Sequence, residues 1–409
     1  MTKANVGMGV LSIPYVFMTI GIVPGCILLV VMGCMVAYAA SILQDFKINH
    51  PEVYNYSDVG YILFGKIGRE YFAGAFVFTM FFGCGSAIVS ISVALNAMTA
   101  HATCTQVFIV VAAVCGFMLC SIRTLGQIAW LGWVGCISIL VAILTLTIAV
   151  GVQDRPAAAP PVGPWERDIQ VIAHPPFAEG MTMVNNVLFS YGATSVYFGI
   201  ISEMRDVRQY KKVMYASEAL TGTLYLVIGN VVYHFTGQYV SSPSLGSAGP
   251  VLKKVCYGLA TPALLVTLTL YAHIAAKYIF VRLLSGSRHL THTGMVHWSV
   301  WLSCTFGTIL VGYILASAIP SFNSIISFIG SLFTPSMVLI PFPLMWWHDN
   351  WRYGPKERRN YFKALVLMFI FFVGVFITIA GTYASITEII ATKQGRPWSC
   401  KDNSGTVKD

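Results

Sequence analysis

Apolar residues in this chain come in long blocks, without the alternation of half-buried strands or the single apolar stripe of soluble helices. A helix crosses a bilayer with about 20 mostly apolar residues. Stretches meeting or approaching that length lie at 2–19, 21–44, 70–98, 104–122, 126–151, 180–203, 211–235, 260–284, 296–318, 322–346 and 363–388. Pro320 is expected to end the ninth stretch and start the tenth. In the connection at 46–69, Ser57-Asp58 predicts an N-cap on a short interfacial helix. The proline- and alanine-rich loop at 152–179 should be extended. In the loop at 236–260, Ser241-Ser242-Pro243 and Gly246 through Pro250 read as turns.

Two stretches are interrupted. The first carries Gly7, Gly9 and Pro14 inside Lys3-Ala4-Asn5-Val6-Gly7-Met8-Gly9-Val10-Leu11-Ser12-Ile13-Pro14, and the sixth carries Phe189-Ser190-Tyr191-Gly192-Ala193-Thr194-Ser195. A backbone that breaks within hydrocarbon leaves N–H and C=O groups unpaired, which is tolerated only where they line a cavity or meet a ligand. Paired breaks at corresponding places in two halves point to the midplane binding site of a secondary transporter. The alternative is a simple kink at each, since Gly and Pro are common in membrane helices. Read this way, the chain is one transmembrane domain over 1–409. A first repeat (1–151) is followed by an outer loop (152–179), an inverted second repeat (180–346), an eleventh helix (363–388) and a polar tail (389–409). Only six residues precede Gly7, too few for the half-helix expected before a break, so helix 1 is expected to be truncated at its N-terminus.

Composition fits a polytopic membrane protein. Of 409 residues, 56% are hydrophobic and only 10% charged, with a mean hydropathy of +0.71, far too little charge for a soluble surface. The net charge of +9 belongs to the connections rather than to a nucleic-acid face. Placing the N-terminus inside puts Lys66, Arg69, Arg205, Arg208, Lys211, Lys212, Arg352 and others on the cytoplasmic side. Only Arg155, Arg167, Lys253 and Lys254 then fall in outer loops. The C-terminus is then outside. Asn55-Tyr56-Ser57 is a glycosylation sequon that this topology leaves unused. Most of the ten cysteines lie in apolar runs, Cys104, Cys256 and Cys400 being placed in loops or the tail, and a Cys104–Cys256 disulfide is one expectation.

The amides near Gly7, Met8 and Gly9 can meet a free amino acid's carboxylate, because helix starts carry partial positive charge and glycine admits close approach. Carbonyls around Ser190, Tyr191, Gly192, Ala193 and Thr194 can accept from its ammonium. Met8, Phe189 and Tyr191, with Cys84, Gly85 and Ser86 of the third helix, would make a mostly apolar pocket. No acidic residue lies at either break, which argues against a cationic substrate. Ionisable groups within membrane helices are functional candidates: Lys3, and His273 with Lys277 one turn later. Positive or titratable groups there suit coupling to protons rather than sodium, unless Lys3 and Lys277 merely snorkel. Glu218 and Glu203 are expected to pair with Arg205, Arg208 or Lys211. Asn96, Asn185, Asn186 and Asn230 read as interhelical hydrogen-bond donors. His289, His292 and His297 cluster without the spacing of a metal site, and no metal or organic cofactor is expected.

The string Gly7 through Pro14, Ser190-Tyr191-Gly192 with Glu203-Met204-Arg205, Asp58 through Gly65, and Ala276-Lys277-Tyr278-Ile279-Phe280-Val281-Arg282 resemble the amino acid/auxin permease family, most of all its fungal neutral amino acid permeases. The resemblance spans nearly the whole chain. It implies an all-α polytopic membrane protein of about eleven transmembrane helices. The fold is the five-plus-five inverted repeat of leucine-transporter-like proteins of the APC superfamily, with helices 1 and 6 broken. It further implies proton-driven import of neutral amino acids, at the plasma membrane or the vacuole. A sodium-coupled carrier and a non-transporting amino acid sensor remain the competing readings. An integral membrane enzyme would need clustered His, Asp or Glu on facing helix ends. Oligomeric state is left open.

Overall fold

The computed structural model describes residues 1–122, 125–160, 162–290, 292, 294–319, 321–352, 360–391 and 397–406, without the side chains of 3–4 and 125–129. Pro320 therefore lies outside the described residues, as does the side chain of Lys3. The regular elements are helical. In chain order they begin with α1 (Thr2–Asn5), α2 (Ile13–Ile20), α3 (Ile22–Ala40), α4 (Ile42–Asn49), α5 (Tyr56–Thr99) and α6 (Thr105–Cys120). Next come α7 (Leu125–Val152), α8 (Phe177–Ser190), α9 (Tyr197–Glu203), α10 (Tyr210–Thr236), α11 (Pro250–Leu283) and α12 (Met295–Ala318). The last are α13 (Phe322–Leu332), α14 (Thr334–Val338), α15 (Pro341–Trp347), α16 (Tyr361–Phe376) and α17 (Thr382–Ala391). Among the described residues, 6 helices are long and apolar enough to cross a membrane, or 7 if the pair bent by 43° at Phe333 is one span.

Helix α5 does not start where the sequence suggests. Its cap is Asn55, whose Oδ1 accepts from the Asp58 amide at 3.1 Å, while Asp58 Oδ2 accepts from the amides of Tyr54 (3.0 Å) and Asn55 (3.2 Å). This reciprocal arrangement satisfies the first orphan donors. It moves the cap two residues upstream of Ser57, whose hydroxyl bonds Asn55 instead. The helix bends at Gly65, where φ is 65° and ψ is −147°, a conformation open to glycine alone.

The chain forms two compact units, each drawing on both proposed halves of the sequence. The first is Met1–Phe78, Ile169–Asn230 and Ile326–Ala391; the second is Thr79–Asp168, Val231–Ile325 and Thr392–Asp409. In the first unit, α8 packs on α2, α3 and α17. Asn185 of α8 is buried, and its Nδ2 lies 3.2 Å from Ser327 Oγ, 3.1 Å from Gly381 O and 3.0 Å from Ser385 Oγ. One amide thus ties three helical segments together, the interhelical role expected of it. The end of the long loop runs extended. The amides of Ile22 and Val23 bond Gln170 O (3.2 Å) and Val171 O (3.0 Å), and the Ala173 amide returns to Ile20 O (3.1 Å). Gly21, with φ of 91°, makes that approach possible, since a Cβ there would sit 2.9 Å from the Ile172 Cα.

In the second unit α11 packs chiefly on α7, and also on α6 and α12. Small residues set the spacing: a Cβ on Gly312 of α12 would fall 2.9 Å from Cys84 Cβ, and one on Gly116 of α6 would fall 2.6 Å from Leu268. Close backbone approach through small residues is the usual substitute for a hydrophobic driving force between helices in lipid. The polar tail is docked rather than loose. Cys400 is disulfide-bonded to Cys104, the Thr105 hydroxyl donates to Lys401 O (2.6 Å), and Asn96 Nδ2 donates to Asn403 Oδ1 (2.8 Å). Lys253, in the first turn of α11, gives Nζ to Ser404 O at 2.7 Å.

This corrects the expected Cys104–Cys256 bridge. Cys256 is not in a loop; α11 already begins at Pro250, which buries Cys256 as a free thiol inside the helix. The tail's main chain meanwhile brings Cys400 to the first turn of α6. We expect peptide mapping under non-reducing conditions to recover a fragment joining residues 104 and 400, and none joining 104 to 256.

Candidate functional site

Both interrupted helices belong to the first unit, and the structure brings them together. After α1, the amides of Val6 and Gly7 turn back to Thr2 O (2.8 Å) and Asn5 O (2.9 Å). A 3-10 turn over Gly9–Leu11 follows. The Ser12 hydroxyl donates to Gly9 O at 2.8 Å, and Pro14 sits in the first turn of α2, where no amide is missed. In the sixth stretch α8 stops at Ser190, a 3-10 stretch runs over Gly192–Val196, and α9 resumes at Tyr197. Each break therefore releases carbonyls behind it and directs fresh helix-start amides forward.

The two breaks touch through Gly9. A Cβ at that position would lie 2.6 Å from the Ser190 Cα and 2.9 Å from its Cβ, closer than any side chain allows. Gly7 is the opposite case, with nothing within 4 Å of a Cβ among the described residues. So one glycine is required by packing and the other borders open space beside the break. Tyr225 of α10 reaches both breaks, its hydroxyl standing 2.9 Å from Asn5 O, which also accepts from the Gly7 amide, and 2.9 Å from Ser190 O. Tyr56 likewise reaches two carbonyls further along, donating to Met337 O (2.7 Å) and lying 3.3 Å from Thr194 O.

A buried acid, Glu218, contacts both breaks. Glu218 of α10 is 5% exposed. Its Oε1 accepts from the Tyr197 hydroxyl at 2.6 Å and from Asn5 Nδ2 at 2.9 Å, and Asn5 Nδ2 is also 3.2 Å from the Tyr197 oxygen. The expected pairing of Glu218 with Arg205, Arg208 or Lys211 is not found. Lys211 bonds Asp45 at 2.6 Å instead, and two helical turns separate it from Glu218. Glu218 Oε2 and Asn5 Oδ1 are buried with no hydrogen-bond partner among the described residues. Asn5, Tyr197, Glu218 and Tyr225 thus join α1, α9 and α10 in one polar cluster. An acid within an apolar helix is the sequence signal for such a cluster; the basic residues nearer in sequence point to a different pairing.

The remaining predicted residues are distributed as follows. Met8 is buried. The Ser190 hydroxyl is used by its own helix, donating to Asn186 O at 2.8 Å. Tyr191 points away to α3, donating to Leu29 O at 3.3 Å between Gly33 and Gly222, so its ring is occupied by packing. Gly192 faces Thr334, and Ala193 lies in the same 3-10 stretch. Thr194 is fully buried and its Oγ1 has no partner among the described residues. Lys3 falls in α1, with its side chain outside the described residues.

Gly85, Ser86, His273 and Lys277 are in the second unit. Gly85 packs toward Leu315 of α12 and the Ser86 hydroxyl donates to Gly83 O at 2.9 Å. His273 is buried on the Trp301 ring, with Nδ1 3.4 Å from Cys120 O, while Lys277 is exposed.

Residues 1–387 match the family described as transmembrane amino acid transporter protein. The chain belongs to that family. It is a membrane transporter of amino acids and not an enzyme. Within the family, a transmembrane transporter of Gibberella moniliformis is 34% identical over 99% of this chain and 86% of its own length. The N amino acid transport system protein of Neurospora crassa is 32% identical over 97% of this chain and 85% of its own. The amino acid transporter AVT1J of Arabidopsis thaliana is 26% identical over 94% and 88%.

For a transporter built on these two breaks, the two glycines should respond differently. Gly9→Ala forces side chain against backbone, and overpacking of this kind costs about 1–3 kcal/mol. We expect a lowered thermal midpoint of the detergent-purified protein and strongly reduced amino acid uptake. Gly7→Ala should leave the midpoint unchanged and alter uptake alone.

Proposed function

We propose that this transporter imports neutral amino acids driven by an inward proton gradient. The substrate's backbone charges are held at the breaks around Gly7–Gly9 and Gly192–Thr194, and Glu218 is the group that takes up and releases the proton. The observation that carries the reading is the Asn5–Tyr197–Glu218 cluster. It places a buried ionisable group in hydrogen-bond contact with both interrupted helices, so its charge state and their geometry are coupled. Oε2, which has no hydrogen-bond partner among the described residues, is where a proton fits. Losing a proton there leaves two buried acceptor oxygens sharing the donors that now serve one, and that cost can only be met by moving Asn5 or Tyr197. Thr194, with a buried hydroxyl at the second break, supplies a further contact for a bound solute.

Neutral specificity follows from what surrounds the breaks. The acid is already engaged by Asn5 and Tyr197, and the side chains nearest the first break, Val6, Met8, Val10 and Leu11, are apolar and buried. The disulfide-bonded tail supports a C-terminus on the oxidising face of the membrane, which agrees with an inward-facing N-terminus and an odd number of spans. The plasma membrane is the proposed location.

Uptake of a labelled neutral amino acid into yeast lacking its own permeases tests this. Uptake should rise at acid external pH, ignore sodium, and be competed by neutral amino acids but not by lysine or arginine. Glu218→Gln, which mimics the protonated side chain, should keep substrate exchange across the membrane while losing the acid stimulation. Sodium-dependent uptake, or acid stimulation surviving in E218Q, would overturn the coupling assignment. Binding of the amino acid without flux in the purified, reconstituted protein would favour a sensor.

A further inference from the structure

Another cluster of chemically active side chains lies elsewhere in the first unit, where the C-terminus of α4 meets the turn after α15. His50 follows α4 directly, its amide bonded to Phe46 O at 2.8 Å and its ring 4.5 Å from the Phe46 ring. His348 and Asp349 open a π-helical turn, His348–Arg352. Such turns are rare and often mark functional sites. Asp349 Oδ1 lies 2.9 Å from His50 Nε2 and 3.0 Å from His348 Nδ1, and all three ligand atoms fall within 4.8 Å of one another.

We propose that His50, His348 and Asp349 form a binding site for a divalent transition-metal ion of the zinc class. Two imidazole nitrogens and one carboxylate oxygen are the donor set that such ions favour, with a fourth position left for water. Tetrahedral zinc with ligands about 2.0–2.2 Å away sets its donor atoms on the order of 3.4 Å apart. The two pairs that include Asp349 are already slightly closer than that, and the third, between the rings, lies within 4.8 Å, so an ion fits between them after the rings adjust.

The surroundings orient the donors as well. Glu52 Oε1 lies 3.4 Å from His50 Nδ1. When an ion displaces the proton between Nε2 and Asp349, a proton held on Nδ1 by Glu52 leaves the Nε2 lone pair for the ion, the carboxylate–histidine arrangement common at metal sites. Asn49 Nδ2 donates to Asp349 Oδ2 at 2.9 Å, fixing the carboxylate with Oδ1 toward the two rings. Five residues from two separate elements thus converge on one point. An ion bound there replaces the protons now shared between the rings and the carboxylate and ties α4 to the turn after α15.

The site is independent of the transport reading and is tested without it. The full-length protein, purified in detergent and stripped with chelator, is titrated with Zn2+ calorimetrically and with Co2+ by visible absorption. We expect one ion per chain, a Co2+ spectrum of low coordination number, and a thermal midpoint raised by Zn2+. His50→Ala and Asp349→Asn should weaken binding at least about 100-fold. Glu52→Gln, at an exposed position where the fold is little affected, should weaken it about 10-fold. His174→Ala, at an exposed histidine elsewhere, should change nothing. Absence of binding by the unmodified protein would overturn the assignment. So would affinity unmoved in H50A, H348A and D349N, which would put the ion at another histidine group such as His289 and His292.

Discussion

The structure depends on how it satisfies backbone groups that two helices give up when they break. In a medium without water every orphaned carbonyl must find a donor inside the protein. Here one phenol hydroxyl, that of Tyr225, stands at hydrogen-bond distance from a carbonyl of each interrupted helix. A side chain from α10 thereby holds α1 against the end of α8, and the close contact of Gly9 with Ser190 follows from that constraint. Had Gly9 carried a side chain, it would have met the Ser190 backbone and pushed apart the two carbonyls that Tyr225 reaches.

The same economy of donors runs through the first unit. Asn185 shares its two N–H groups among three acceptors, Tyr56 reaches carbonyls on two different elements, and Asn5 serves both Glu218 and Tyr197. Each hydrogen bond is individually modest, yet in lipid the alternative is an unsatisfied polar atom, so the penalty for losing one partner exceeds the gain from making it. Polar residues in these helices consequently act as positioning devices, and apolar contact fills in around them.

Much of this was legible in the sequence because the strongest signals are one-dimensional. Long apolar blocks gave the membrane-spanning class, and glycine with proline inside the first block, or glycine inside the sixth, located both breaks to within a residue or two. What could not be read was partnership across the chain. The basic residues near Glu218 in sequence suggest ion pairs, while its partners are Tyr197 and, more than two hundred positions away, Asn5. On the sequence alone a Cys104–Cys256 bridge would join two outer loops, and nothing local indicates that the tail returns to α6 instead. Tyr191, at the second break, was read as pocket lining, yet the break rotates its ring to α3. His50 lies about three hundred positions from His348 and Asp349, so their approach has no signature in the sequence.

The position of Glu218 matters more than its burial. A carboxylate confined to one helix could change its charge with little effect beyond its own turn. This one draws its donors from α1 and from the helix resuming after the second break, so no change in its hydrogen bonds can be confined to α10. The two carbonyls bridged by Tyr225 lie at the same break points, which means that displacing Asn5 also disturbs the bridge. Under the proposed mechanism, protonation, backbone satisfaction and the geometry of the amides at the breaks are therefore one mechanical problem. A cation site made of side chains alone would lack that link, because a bound ion need not touch the main chain at either break.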